Sequence, residues 1–262
     1  MHGLGTDFII FDNQKSPKIN DANFLRKISD RRFGIGCDQV MIIEDTSNPE
    51  NFKMKMYNSD GTETGACGNG SRCVASFLMN KNSLNSLTLE TMSGGLKCFM
   101  TNNLVTVNMG KPKFKWTDIP LSTDMDPQKV KLGNFDAFCL SMGNPHAVIF
   151  LENLDELESL DLNAVGPKLE KHSLFPEFAN IEFACVINDG SIRMRVWERG
   201  VGTTLACGSG ACATLVAASV LNKSPKENKI ILDGGDLFVN WINDGSVTLT
   251  GDVKKVFEGT IG

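Results

Sequence analysis

Ala66-Cys67-Gly68-Asn69-Gly70 and Ala206-Cys207-Gly208-Ser209-Gly210 are near copies of each other, one in each half of a 262-residue chain. After the first, Val74, Phe77 and Leu78 form an apolar stripe at helical spacing; after the second, residues 211–221 read as a helix. Strand and turn signals precede both. The same strand–turn–Cys–helix order in both halves implies two similar α/β lobes with a pseudo-twofold cleft.

Outward from these motifs the pattern is rich in strands. Strands are expected at 8–11, 40–43 and 53–57. A helix is expected at 21–29, capped by Asn20 or Asp21. Asn58-Ser59-Asp60-Gly61 is a turn signal. Strands at 86–91, 96–100 and 104–109 form a meander, and the linker falls within 110–127. The second half repeats with strands at 136–141, 147–151, 181–187 and 192–197. A helix at 162–172 is expected to be interrupted by Gly166-Pro167. After the second Cys-Gly helix come strands at 229–232, 238–242 and 247–250, and a last strand at 253–261 returns to the first lobe. The expected domains are 1–113, completed by about 252–262, and 114–251.

Composition narrows the function. A net charge of −5 with no clustered Lys and Arg argues against a nucleic-acid partner, and Arg31-Arg32 and Lys254-Lys255 read as solvated faces. No apolar run reaches membrane-span length, and no secretory signal is visible. Eight cysteines without a Cys-x-x-Cys pair, and only three histidines, argue for reduced cytoplasmic thiols and against a structural metal site. Cys37, Cys98, Cys139 and Cys185 lie in or beside apolar strands, and Cys73 and Cys212 fall inside helices; all six read as core residues.

Cys67 and Cys207 read differently. Glycines at a helix start let a ligand approach the backbone, and the first N–H groups and the helix dipole attract anions. The same field is expected to lower a cysteine pKa. A substrate carboxylate and a reactive thiol can thus share one helix mouth. The Walker and dinucleotide glycine patterns are both absent, so no cofactor is expected. Arg199 in Glu198-Arg199-Gly200 can grip a carboxylate, or form a surface ion pair with its neighbour. Asn58 and Asn144 read as ligands or as turn formers, and His146, in Asn144-Pro145-His146 at a strand end, as a functional or a core histidine.

These stretches resemble the diaminopimelate epimerase family. The resemblance rests on Met1-His2-Gly3-Leu4-Gly5, Gly34-Ile35-Gly36-Cys37-Asp38-Gln39, Asn58-Ser59-Asp60-Gly61, the 67–73 segment, Met142-Gly143-Asn144-Pro145-His146, Ala179-Asn180-Ile181, and the segment from Glu198 to Cys212. It implies an α/β fold of two pseudo-symmetric lobes, each a curved, barrel-like mixed or antiparallel sheet around a central helix, in a homodimer. It implies interconversion of LL- and meso-2,6-diaminopimelate without pyridoxal phosphate, in lysine and peptidoglycan synthesis.

By the same resemblance Cys67 and Cys207 are the acid/base thiols, tuned by His146 and Glu198. Gly68, Asn69, Gly208 and Ser209 bind the reacting carboxylate. Asn58, Asn144, Asn180 and Arg199 hold the distal carboxylate, Glu198 lies near the distal amino group, and Gln39 lines the pocket. Thr6 stands where the family usually has Asn, keeping a hydroxyl and losing an amide. Thr203 stands where Glu is common, and Glu182 where a small residue is common. A proline-racemase-like enzyme using the same thiol pair, a non-catalytic amino-acid binding protein and a dithiol redox protein are the competing readings.

Overall fold

A computed structural model describes residues 1–12, 21–46, 48–65 and 67–261. Ala66 of the first motif and Asn20, one of the two helix caps considered, lie outside these residues. The chain divides into two compact units, Met1–Asn108 with Thr250–Gly262, and Met109–Leu249. The boundary read from sequence was 113/114.

The first unit begins with β1 (His2–Gly3), β2 (Thr6–Asp12), α1 (Ala22–Ser29), β3 (Gln39–Asp45) and β4 (Asn51–Asn58). It continues through β5 (Glu63–Thr64), α2 (Gly68–Asn82), β6 (Ser86–Thr91), β7 (Gly94–Thr101) and β8 (Leu104–Asn108). β2 and β3 run parallel around α1, and β4 and β6 run parallel around α2; β3–β4, β6–β7 and β7–β8 are antiparallel. Asp21 caps α1 by accepting from the Asn23 N–H.

The second unit repeats this order after one extra strand, β9 (Val130–Leu132). It has β10 (Phe135–Ser141), β11 (Pro145–Phe150), α3 (Leu154–Ser159), α4 (Leu162–Glu170), β12 (Asn180–Val186) and β13 (Ile192–Glu198). It then has β14 (Gly202–Thr204), α5 (Gly208–Val220), β15 (Glu227–Leu232) and β16 (Gly235–Trp241); β17 (Val247–Gly251) carries the chain back. β11 and β12 are parallel around α3 and α4, and β13 and β15 are parallel around α5. The architecture is mixed α/β, one mixed sheet and one central helix in each unit.

Burial explains the layers. α5 is Gly-Ser-Gly-Ala-Cys-Ala-Thr-Leu-Val-Ala-Ala-Ser-Val, apolar all round, and Gly210 to Ala218 are buried continuously. An all-round apolar helix belongs inside; α5 packs on β10 to β13, β15 and β16. The opposite face of that sheet carries Cys139, Ala147, Ile149, Ile181, Phe183 and Cys185, covered by Leu157 of α3 and Leu162 and Leu169 of α4. With both faces covered, β12 is buried at every position but its last. In the first unit α2 packs on β1, β2, β3, β6, β7 and β8. Across that sheet Leu25 and Ile28 of α1 meet Val40 and Ile42.

Three expectations are corrected. Gly166-Pro167 does not interrupt the helix: α4 runs through Pro167, with Asp161 accepting from the N–H groups of Asn163 and Ala164. Burial of Leu162 and Leu169 on the sheet outweighs the one backbone hydrogen bond that proline removes. Asn144-Pro145-His146 does not end a strand; Pro145 opens β11, where a missing N–H is tolerated. Residues 253–261 form no strand. One bridge joins His2 to Lys254, and Val256 and Phe257 are exposed.

Gly166 is where α4 meets β13. A Cβ there would lie 2.4 Å from Trp197 Cδ2 and 2.5 Å from Cγ, inside a rigid ring. Gly166→Ala is expected to destabilise the fold by about 1–3 kcal/mol through overpacking. An unchanged urea midpoint with an unchanged slope would contradict this packing.

Candidate active site

Cys67 and Cys207 occupy the same structural position in their units. Each is the N-cap of a central helix, with extended backbone angles (φ −151°, ψ 106° and φ −118°, ψ 112°). Each sulfur accepts from the N–H three residues on, Gly70 or Gly210, at 3.4 Å. The next N–H, of Ser71 or Ala211, reaches the cysteine carbonyl at 2.9 and 3.0 Å. The N–H groups of residues 68 and 69, and of 208 and 209, lie in the first turns of their helices, where the helix dipole favours an anion. Cys67 is half-buried; Cys207 is 5% exposed.

Around Cys67, Thr6 Oγ1 accepts from Asn69 Nδ2 at 3.2 Å, and Asn69 Oδ1 accepts from Arg72 Nη2 at 2.8 Å. The hydroxyl of Thr6 therefore takes an amide donor from the first turn of α2. Arg72 is fully buried. Gln39 and Asn58 are register partners on β3 and β4, and Gln39 Nε2 donates to Asn58 Oδ1 at 3.0 Å. Arg31, whose side chain is mostly exposed, donates to both Asp7 and Asp38, tying together the starts of β2 and β3 beside Thr6 and Gln39.

Around Cys207 the sheet face beneath α5 is polar. In the β11–β12 register His146 pairs with Asn180, and Val148 with Glu182; in the β12–β13 register Glu182 pairs with Val196. Strand alternation then puts His146, Asn180, Glu182 and Glu198 on one face. His146 is a buried, satisfied histidine. Its Nδ1 meets Glu182 Oε1 at 2.7 Å and its Nε2 meets Asn144 Oδ1 at 2.9 Å. Asn144 Nδ2 donates to Ser209 Oγ at 3.3 Å, and Ser209 Oγ lies 3.6 Å from Cys207 Sγ. Thr204 donates its hydroxyl to Glu198.

Asn180 and Arg199 form a separate knot. Asn180 Nδ2 donates to the Pro145 carbonyl at 3.0 Å, its Oδ1 accepts from the Arg199 N–H at 2.9 Å, and Arg199 Nη1 donates to the Glu177 carbonyl at 3.1 Å. Sequence reading missed Glu170. Its carboxylate accepts from Trp197 Nε1 at 2.7 Å and from the Gly200 N–H at 2.8 Å, fixing the turn that carries Glu198 and Arg199. It also noted Glu182 only as a departure; one charged residue in the otherwise apolar run Ile181-Glu182-Phe183-Ala184 was the available signal.

The ionisation of Cys207 differs from expectation. Burial raises its pKa well above the ordinary thiol value, and the negative charges of Glu198 and then Glu182 add to this; the Ser209 hydroxyl and Gly210 N–H pull it down by less. Desolvation and two carboxylates outweigh the helix end. Burial likewise raises Glu198, opposed by its hydrogen bonds to Thr204 and Cys207. Cys73, inside α2, is pushed up to about 12 by burial, as suits an inert core thiol. Among the described residues no cluster of His, Cys, Asp and Glu is arranged to hold a metal, and no helix is long and apolar enough to cross a membrane.

The fold is that of the PhzF and proline-racemase group of proteins. A Clostridium difficile protein described as a putative phenazine biosynthesis PhzC/PhzF protein superposes with TM-score 0.69 at 14% identity, covering 97% of this chain and 92% of that one. A hydroxyproline epimerase from Agrobacterium vitis superposes with TM-score 0.62 at 14% identity, covering 95% and 87%. At such identities the likeness is one of fold alone.

Sequence narrows it further. The diaminopimelate epimerase profile matches residues 1–115 and 138–256. Diaminopimelate epimerase of Rhodospirillum centenum is 46% identical over 266 residues, covering 100% of this chain and 90% of that one. That of Gluconobacter oxydans is 43% identical over 261 residues, covering 99% and 96%. The chain belongs to the diaminopimelate epimerase family and is an isomerase.

Since the Glu198 charge raises the Cys207 pKa, Glu198→Gln is expected to let Cys207 ionise at lower pH. The pH midpoint for its alkylation by iodoacetamide, followed by peptide mass spectrometry, should move down. An unmoved or higher midpoint would show that the carboxylate does not act on this sulfur.

Proposed function

We propose that this enzyme interconverts LL- and meso-2,6-diaminopimelate by two-base proton transfer, with Cys67 and Cys207 as the catalytic groups and no cofactor. The observation that carries the reading is the repeated geometry: one cysteine sulfur capping the first turn of the central helix in each unit, followed by Gly-x-Gly. One thiolate removes the α-hydrogen as a proton, and the other thiol delivers a proton to the opposite face of the same carbon. Cys207, whose pKa burial raises, rests as the thiol and serves as the acid in the direction that starts from that state. The opposite direction exchanges the roles.

The developing negative charge spreads onto the α-carboxylate. N–H groups at residues 68 and 69 and at 208 and 209 stabilise it there without reorganising, as preorganised donors do. Glu198 and His146 tune the thiols; Arg199, Asn58, Asn144 and Asn180 hold the distal carboxylate; Gln39 and Thr6 line the pocket. Positioned acid/base groups give about 10²–10⁴-fold each, so exclusion of water and the helix fields supply much of the remainder. The same reading includes a homodimer in a reducing, cytoplasmic setting and a place in lysine and peptidoglycan synthesis.

Deuterium incorporation at the α-carbon of diaminopimelate in D₂O, followed by NMR with no cofactor added, tests the reaction. Wild type should incorporate deuterium on diaminopimelate and not on proline or hydroxyproline; the reverse preference would favour the proline-racemase alternative. Cys67→Ala and Cys207→Ala should each lose epimerisation by at least about 10²-fold. Near wild-type turnover in either variant would defeat the two-thiol reading.

A further inference from the structure

Glu182 is the buried charge for which the reading above has no task. It is fully buried in the middle of β12, and its neighbours along the strand are Ile181 and Phe183. A carboxylate in such a place is costly unless it is paired and hydrogen-bonded. Only half of it is satisfied: Oε1 meets His146 Nδ1 at 2.7 Å, while Oε2 has no hydrogen-bond partner among the described residues. Packing also makes room for it. A Cβ at Gly210, in the first turn of α5, would lie 2.7 Å from Glu182 Oε1. The last glycine of the cysteine motif therefore lets this carboxylate sit against the helix mouth, where the dipole favours a negative charge.

A continuous line of contacts runs from Glu182 to the sulfur: Oε1 to His146 Nδ1, Nε2 to Asn144 Oδ1, Asn144 Nδ2 to Ser209 Oγ, and Ser209 Oγ to Cys207 Sγ. Glu182 Oε1 and the amide oxygen Asn144 Oδ1 are both acceptors, so the ring is held between them by its Nδ1–H and Nε2–H as donors. Fixing the ring fixes the Asn144 amide, and through it the Ser209 hydroxyl beside the thiol. We propose that Glu182 is a positioning residue for Cys207, acting through His146, Asn144 and Ser209; this rests on Cys207 being an acid/base group of the epimerase. Glu198 reaches the same thiol directly, so the two carboxylates act by different routes.

The test is Glu182→Gln in the full-length protein, close in shape to the native side chain and uncharged. The expected result is a fall in kcat of about 10- to 100-fold, part of what a positioned acid/base group supplies, with KM within about threefold and an unchanged melting temperature. In ¹⁵N-histidine NMR without substrate, wild type should show an Nδ1–H signal from His146 protected from solvent exchange, and the variant should lose or shift it. Unchanged kcat in a folded variant, or a fall in kcat with the His146 signal unmoved, would overturn the proposal. If Glu182→Gln does not fold, Glu182→Asp, which keeps the charge and shortens the reach, is read by the same two measurements. A wild type that does not exchange the α-hydrogen of diaminopimelate would instead sink the reading of function, and the substrate-free NMR signal would still decide whether Glu182 holds His146.

Discussion

Everything at the second motif depends on placing a helix N-terminus over the polar patch of a sheet. Two carboxylates, a histidine and an amide sit on one face of β11 to β13, in a layer otherwise apolar. Without the first turn of α5 above them they would be buried negative charge in a low-dielectric core, which folded proteins seldom tolerate. With it, the helix supplies the partial positive charge of its open N–H groups. Gly210 is small enough for a polar atom to come close, as the 2.7 Å between a Cβ there and Glu182 Oε1 makes plain. The cysteine cap, the glycines and the acids beneath them are one arrangement.

The two units reuse one topology with opposite electrostatics. Below the first turn of α2 the buried charge is positive: Arg72 reaches back to Asn69, which in turn holds Thr6. Below the first turn of α5 it is negative, from Glu182, with the half-buried Glu198 acting on the same sulfur. The two cysteines share one N-cap role, and the buried charge beside each helix start differs in sign.

The sequence made the backbone legible and left the polar layer dark. The cysteine-capped helices were readable because Gly-x-Gly followed by an apolar run is a local signal. The parallel pairs around α1, α2, α3–α4 and α5 follow from strand–helix–strand order. α3 was invisible because six residues, Leu154 to Ser159, are too short to show a period. Pro167 suggests a break locally, but burial of Leu162 and Leu169 on the sheet decides. The lowering expected for Cys207 failed for a related reason: the helix end is a local feature, whereas the acids that outweigh it arrive from β12 and β13. The roles of Glu182 and Glu170 depend on strand register and on which helix covers which face, and neither is written within a few residues of the side chain itself.

Register also explains how three consecutive residues take up three tasks. Trp197 points away from α5, into the outer layer, where Glu170 accepts its indole N–H and its ring closes over Gly166. Glu198 then points inward toward Cys207, and Arg199 leaves the strand with its N–H held by Asn180. Gly200, at φ +74°, turns the chain so that its N–H meets the other oxygen of Glu170. One buried carboxylate thus grips the strand on both sides of Glu198. The carboxylate that acts on the thiol is positioned by clamping its neighbours, and its own oxygens are left for Thr204 and the sulfur.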